Sequence, residues 1–136
     1  QNTGLGDDPV QGWADARVEA LEQIESPDRE IVIIQPNPGG VPIESCYSPI
    51  GGPAGCIMPV RDIYDVKTAG DQLAAAELGL TYVETEDWFV VDGEVMPYAG
   101  DVIQRTDGGH LTAEYAALIE EPLRDRLELL GVVGAS

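Results

Sequence analysis

Residues 35–59 admit little regular structure, and any fold this chain adopts must be built around them. Pro36, Pro38, Gly39, Gly40, Pro42, Pro49, Gly51, Gly52, Pro53 and Gly55 crowd the stretch. Proline fixes φ and removes a backbone donor, while glycine favours no single conformation, so helix and ladder are both disfavoured. A structureless connection this long is uncommon in a compact domain and tends to carry function. Just before it stands Ile31-Val32-Ile33-Ile34, a branched apolar run without alternation. Such a run reads as an inner strand of a parallel sheet, buried on both faces. The loop therefore leaves the end of a buried strand, where open α/β sheets place their sites.

The remaining segments alternate between helical and extended patterns. Residues 1–8 are rich in Gly and Asp and read as extended. Asp8-Pro9 supplies an N-cap acid and a first-turn proline. Ala14, Val18, Leu21 and Ile24 then follow at helical spacing, and Ser26-Pro27-Asp28 closes the segment. Asp65 is placed to cap a second helix, with Val66, Ala69, Leu73 and Ala76 or Glu77 as its apolar stripe and Gly79 as its stop. Thr81-Tyr82-Val83 reads as a second core strand. Trp88 to Val91 and Glu94 to Met96 flank Asp92-Gly93, a strong two-residue hairpin signal. Val102-Ile103 is a short extended piece. Thr112 caps a last helix with Ala116, Ile119, Leu123, Leu127 and Leu130 on one stripe and Gly131 at its end. Pro122 lies inside this helix and should bend it or loosen a turn. No internal repeat or domain linker interrupts the order, which is that of an α/β sandwich. Two inner strands make a thin sheet for three helices, so at least one further strand is expected from residues outside this chain.

Length and charge narrow the function. The 136 residues suit one domain with one core. Twenty-five acidic residues face seven basic ones, for a net charge of −18, and Lys67 is the only lysine. Phosphate backbones are held by Lys and Arg, so nucleic acid is excluded as a partner, and an anionic membrane surface would repel the chain. The acidity is that of a soluble or salt-adapted surface. No apolar run approaches the roughly 20 residues of a membrane span, and no signal peptide is present. The chain starts at Gln1 rather than Met, consistent with removal of an upstream segment. Cys46 and Cys56, ten residues apart in the Pro/Gly loop, are too few for a structural zinc site. A disulfide clipping the loop fits better and implies an oxidising compartment; two free buried thiols are the alternative.

The chemistry centres on Thr106-Asp107-Gly108-Gly109-His110-Leu111-Thr112, which holds the only histidine. A histidine acts as a general base at neutral pH when it is neutral and held in one tautomer. A carboxylate on its other nitrogen does the holding and stabilises the imidazolium as it forms. Asp107 and His110 can meet across one turn, and the two glycines let that turn fold tightly. The bland alternative is a plain Asp-Gly-Gly turn with a solvated histidine. Trp88 and Phe89 can line a pocket or fill a core. Glu84, Glu86, Asp87 and Asp92 lack the spacing of a calcium loop and read as a solvated acidic face. No metal and no cofactor is implied.

Asp107-Gly108-Gly109-His110-Leu111-Thr112, with Tyr115-Ala116 after it, resembles the last signature block of the SGNH hydrolase superfamily. More closely, the chain resembles the SGNH domain fused to the C-terminus of membrane acyltransferase-3 proteins. Trp13, the strand ending at Pro36, the Cys46…Cys56 loop, Asp65, Thr85-Glu86-Asp87-Trp88, the hairpin with Asp92-Gly93 and Pro97, and Gly100-Asp101-Val102 extend the likeness over most of the chain.

The resemblance implies an SGNH-like three-layer sandwich with a central parallel sheet that lacks its first strand. Residues 1–136 would be one partial domain. It implies a triad whose aspartate is Asp107 and whose histidine is His110, and an oxyanion-hole asparagine for which Asn37 stands in a suitable place; the alternative for Asn37 is a turn residue between two prolines. The family's serine, in a Gly-Asp-Ser motif after the first strand, has no counterpart. Ser26, Ser45, Ser48 and Ser136 are the only serines, and Gly6-Asp7-Asp8 lacks the hydroxyl. Ser45 or Ser48 would be unusual substitutes. A second cysteine pair, common in the family, is replaced by Val90 or Val91 and Val95. The implied activity is extracytoplasmic serine-type O-acyl transfer or ester hydrolysis on an envelope glycan or glycolipid. The serine would come from an N-terminal segment, and a membrane acyltransferase domain would deliver the acyl group. This chain alone would be inactive. The alternatives are a catalytically inactive relative that binds glycan or a partner, and a fragment without activity of its own.

Overall fold

A computed structural model describes residues 6–134. The extended reading of residues 1–8 therefore falls, for residues 1–5, outside the described residues, as does Ser136. In chain order the elements are α1 (Pro9–Glu22), β1 (Val32–Ile34), α2 (Ile43–Cys46), β2 (Met58–Pro59), α3 (Asp62–Leu78), β3 (Thr81–Val83), β4 (Val90–Val91), β5 (Glu94–Val95), β6 (Tyr98–Ala99), β7 (Val102–Ile103) and α4 (Ala113–Leu129). Two 3-10 turns, Pro53–Cys56 and Glu86–Trp88, complete the set. The described residues are mixed α/β, with one small parallel pair and two antiparallel sheets. The chain divides into two compact units: residues 6–36 with 62–84, and residues 37–61 with 85–134.

In the first unit α1 packs on α3, and β1 pairs in parallel with β3 in the register Val32↔Thr81, Ile33↔Tyr82, Ile34↔Val83. Asp8 caps α1 through a bond from the Gln11 amide. The helix ends at Glu22, earlier than the Ser-Pro-Asp stop. Ala14 and Val18 are buried, but Ile24 lies beyond the helix and is half exposed. The expectation that β1 is buried on both faces is corrected: Ile33 is buried, whereas Ile34 is 45% exposed. Among the described residues β1 pairs only with β3, so nothing there forms the second flank that an inner strand has. The stripe on α3 is corrected as well. The helix begins at Asp62, leaving Asp65 in its first turn, and its buried face is Tyr64, Gly70, Asp71, Ala74 and Ala75. Leu73 is 46% exposed instead.

The face turns because of one close contact. A Cβ at Gly70 would lie 2.6 Å from Trp13 Cδ1, so only glycine lets α1 approach this near. Asp71, fully buried, then accepts bonds from Trp13 Nε1 at 2.8 Å and from Arg17 Nε and Nη2 at 2.7 and 3.1 Å. A buried carboxylate is tolerated only when its oxygens are satisfied in this way. The pairing holds the Arg17 guanidinium above its ordinary pKa. Lys67 and Arg17 flank the Trp13 ring at 5.2 and 5.6 Å from its centroid.

In the second unit β2, β5 and β4 form an antiparallel sheet, and β6 pairs with β7. Asp92 and Gly93 both take positive φ, 51° and 78°, as a tight hairpin between β4 and β5 requires. Residues 35–59 are more ordered than their composition suggests. They hold α2, a 3-10 turn and β2, and the Cys46–Cys56 disulfide ties the first two together, with Cα atoms 5.1 Å apart. Thr112 caps α4 by accepting from the Tyr115 amide, and the helix runs without interruption through Pro122. Its stripe is only half covered: Tyr115 is buried, Ile119, Leu123 and Leu127 are intermediate, and Ala116 and Leu130 are exposed. No helix among the described residues is long and apolar enough to cross a membrane.

Candidate functional site

The turn from Thr106 to Thr112 is closed at its neck by backbone pairing. Arg105 and Leu111 form an antiparallel bridge, and the Thr112 amide donates to the Gln104 carbonyl at 2.9 Å. Within the turn, Asp107 does three jobs. Its Oδ1 accepts from the backbone N–H of Gly109 at 2.8 Å and of His110 at 2.7 Å. Its Oδ2 meets His110 Nδ1 at 2.7 Å. A carboxylate bound by its own turn is a fixed carboxylate, so the imidazole that leans on it is fixed as well.

The electrostatics follow from these contacts. The two backbone N–H groups, then the imidazole, hold the Asp107 carboxyl well below the usual carboxylate range. The ionised carboxylate in turn raises the His110 imidazole above its ordinary value. The ring is 93% exposed, so its Nε2 edge is open to solvent and to a reacting group. With Nδ1–H donated to Asp107, Nε2 carries the lone pair that can take a proton.

The proline- and glycine-rich loop is the second wall of this turn. The Gly40 amide donates to the Gly108 carbonyl at 2.9 Å, and the Ile43 amide to the Thr106 carbonyl at 3.1 Å. Gly39 has φ of 70°, which favours glycine, and a Cβ there would make a tight 3.2 Å contact with the Gly108 oxygen. Asn37 Nδ2 donates to the Gly109 carbonyl at 3.0 Å, while its Oδ1 accepts from the Gly39 amide at 2.9 Å. Asn37 is thus brought to the turn and braces it, with one of its two amide hydrogens already committed to Gly109.

The other residues singled out in the sequence divide clearly. Asp8 of Gly6-Asp7-Asp8 is occupied as the cap of α1. Ser48 Oγ accepts from Gly51 in its own tight turn at 2.8 Å, Ser26 Oγ accepts from the Asp28 amide, and Ser45 is exposed on α2. Among the described residues, only Asp107 bonds the His110 ring. Val90, Val91 and Val95 lie in the β4–β5 hairpin. Asp87 pairs with Arg126 at 3.0 and 3.1 Å, and Arg126 lies 4.5 Å from the Trp88 ring centroid. No group of three or more His, Cys, Asp or Glu side chains among the described residues is arranged to hold a metal. Phe89 is core, edge-on to Tyr115 with centroids 5.7 Å apart, and the Tyr115 hydroxyl donates to the Trp88 carbonyl.

Of two clefts in this unit, one reaches the ends of the turn at Thr106 and Thr112, and neither is lined by Asp107 or His110. The first, of about 320 Å³, lies between Val102, Thr106, Thr112 and Glu114. The other, of about 360 Å³, lies between Ile43, Tyr47, Pro97 and Tyr98. They share Asp101 and Ile103. Sequence reasoning did not single out Tyr47, Tyr98 or the buried Arg105 and Gln104. Only the scarcity of basic residues could have drawn attention to Arg105.

Comparisons with models of known protein families, with curated proteins and with solved structures return no match.

Proposed function

We propose that this chain is the C-terminal part of an SGNH-type serine O-acyltransferase or esterase domain. It would act outside the cytoplasm on a cell-envelope glycan or glycolipid, and its fold would be the C-terminal portion of a three-layer sandwich. Asp107 orients His110. His110 Nε2 removes the proton from a serine hydroxyl as that oxygen attacks the ester carbonyl, and later returns it to the leaving alkoxide. Asp107 stabilises the imidazolium between those two steps. The serine belongs to an N-terminal segment outside this chain, and Asn37 offers its remaining amide hydrogen to the developing oxyanion. In the parent protein a membrane acyltransferase domain supplies the acyl group.

One contact carries this reading: the 2.7 Å bond from His110 Nδ1 to a carboxylate already fixed by two backbone amides. The Cys46–Cys56 disulfide is compatible with an oxidising, extracytoplasmic location. The coding sequence upstream should specify a strand followed by Gly-Asp-Ser. Protein that includes this segment should hydrolyse an activated acetyl ester, and His110→Ala should lower kcat by about 10³-fold or more. Full-length protein whose turnover is unchanged by His110→Ala would refute the assignment.

A second reading, an inactive SGNH-like domain that binds glycan or a partner, accounts equally for the lack of a serine bonded to His110 among the described residues. It predicts no Gly-Asp-Ser upstream.

A further inference from the structure

Arg105 is 2% exposed, yet its Nε and Nη2 have no hydrogen-bond partner among the described residues. This is unusual twice over. A buried guanidinium without a counter-charge is among the costliest groups a fold can hold. It also occurs in a chain where acids outnumber bases twenty-five to seven. The other bases have settled places. Arg17, Arg124 and Arg126 pair with Asp71, Glu120 and Asp87. Arg29 donates to the Ile24 carbonyl, and Lys67 lies over Trp13.

Among the described residues no carboxylate is paired with Arg105, and the one acidic group whose charge acts on it is the Tyr115 hydroxyl. The guanidinium lies 5.9 Å from the Phe89 ring centroid, and burial pushes its pKa below the ordinary value. Its Nη1 approaches Gly40 so closely that a Cβ there would lie 2.7 Å away. Arg61, exposed, donates from Nη2 to the carbonyl of the same Gly40 at 3.3 Å. Two of the few cations in the chain therefore converge on one glycine.

The unpartnered pair, Nε and Nη2, is the edge of a guanidinium whose two N–H groups run parallel and match the two oxygens of a carboxylate. We propose that Arg105 anchors a binding site for a small monocarboxylate, held by its Nε–Nη2 fork, with Arg61 adding a second positive charge at Gly40. A single negative charge neutralises the buried cation. A dianion would bring a second charge into the interior that only the exposed, solvent-screened Arg61 faces. Nothing at this site requires His110 to be catalytic.

The test is an NMR titration of the arginine Nε–Hε resonances with sodium acetate, with sodium phosphate and sodium chloride at matched ionic strength as comparisons. The Arg105 signal is identified by its loss in Arg105→Gln. The expected result is a saturable shift of that signal with acetate, weaker or absent with phosphate and chloride. A matching acetate-dependent rise in Tm should appear in wild type and be lost in Arg105→Gln. Should Arg105→Gln not fold, Arg61→Gln carries the test, because Arg61 is exposed: it should weaken acetate binding roughly threefold to fivefold. An Arg105 signal unmoved by acetate overturns the proposal. So does a phosphate response as strong as that to acetate, or an Arg61→Gln titration identical to wild type.

Discussion

Gly70→Ala tests the packing of α1 on α3, and two opposed effects decide its sign. In an open helix the change would stabilise by about 0.8–1 kcal/mol, because alanine loses less backbone freedom than glycine. Here the new methyl would meet Trp13 Cδ1, Cβ and Cγ at 2.6, 2.9 and 3.0 Å. A flexible side chain could step aside, but Trp13 is pinned by its 2.8 Å bond to buried Asp71 and flanked by Arg17 and Lys67. Moving the indole costs about 1–3 kcal/mol in overpacking, and straining its hydrogen bond adds about 1 kcal/mol. The steric side wins, leaving a net destabilisation of about 2 kcal/mol, equivalent to a fall in Tm of roughly 6–10 °C. Urea unfolding followed by tryptophan fluorescence and circular dichroism measures it. In a Trp13→Ala background the sign should reverse, because the obstacle is gone and only helix propensity remains. A Gly70→Ala protein as stable as wild type would show that the two helices part freely and that the contact does not set the face of α3.

Three further outcomes follow from other contacts. Cys46→Ala with Cys56→Ala opens a loop spanned by ten residues of sequence separation, and urea unfolding should show a loss of about 2–3 kcal/mol from loop entropy. Tyr115→Phe removes the donor to the Trp88 carbonyl inside the second unit and should cost about 1–1.5 kcal/mol by the same measurement. The stability difference between wild type and Asp107→Asn should depend on pH at both ends. The raised imidazole pKa stabilises fully below its ordinary 6.5 and is lost as pH rises through the folded value. The depressed carboxyl stabilises above its ordinary 3.8 and is lost as pH falls through the folded value. The difference is therefore greatest between about 3.8 and 6.5, and a pH-independent difference would contradict the dyad.

Local chemistry was legible in the sequence and non-local pairing was not. Asp8 and Thr112 as caps, Gly79 and Gly131 as stops, and the Asp92-Gly93 hairpin all act within a few residues, and each stands where its chemistry places it. The Asp107–His110 contact belongs to the same class, closed within three residues. The face of α3 differs from its apolar stripe because Gly70 and Asp71 are buried by Trp13 and Arg17, whose places no helical period reveals. The exposure of Ile34 is not legible because a branched apolar run states a preference for burial without supplying the second flanking strand. The braces of the turn, Asn37 on Gly109 and Gly40 on Gly108, cross from a loop whose composition predicts only irregularity. Arg105 was invisible for the same reason: burial is a property of its neighbours.

The single histidine makes the decisive measurement simple, because one imidazole gives one titration curve by NMR. Wild-type His110 should titrate above its ordinary 6.5, with the proton on Nδ1 in the neutral form, and Asp107→Asn should bring it back towards that value. An imidazole that titrates at or below 6.5 and ignores Asp107→Asn would leave no oriented base in this turn.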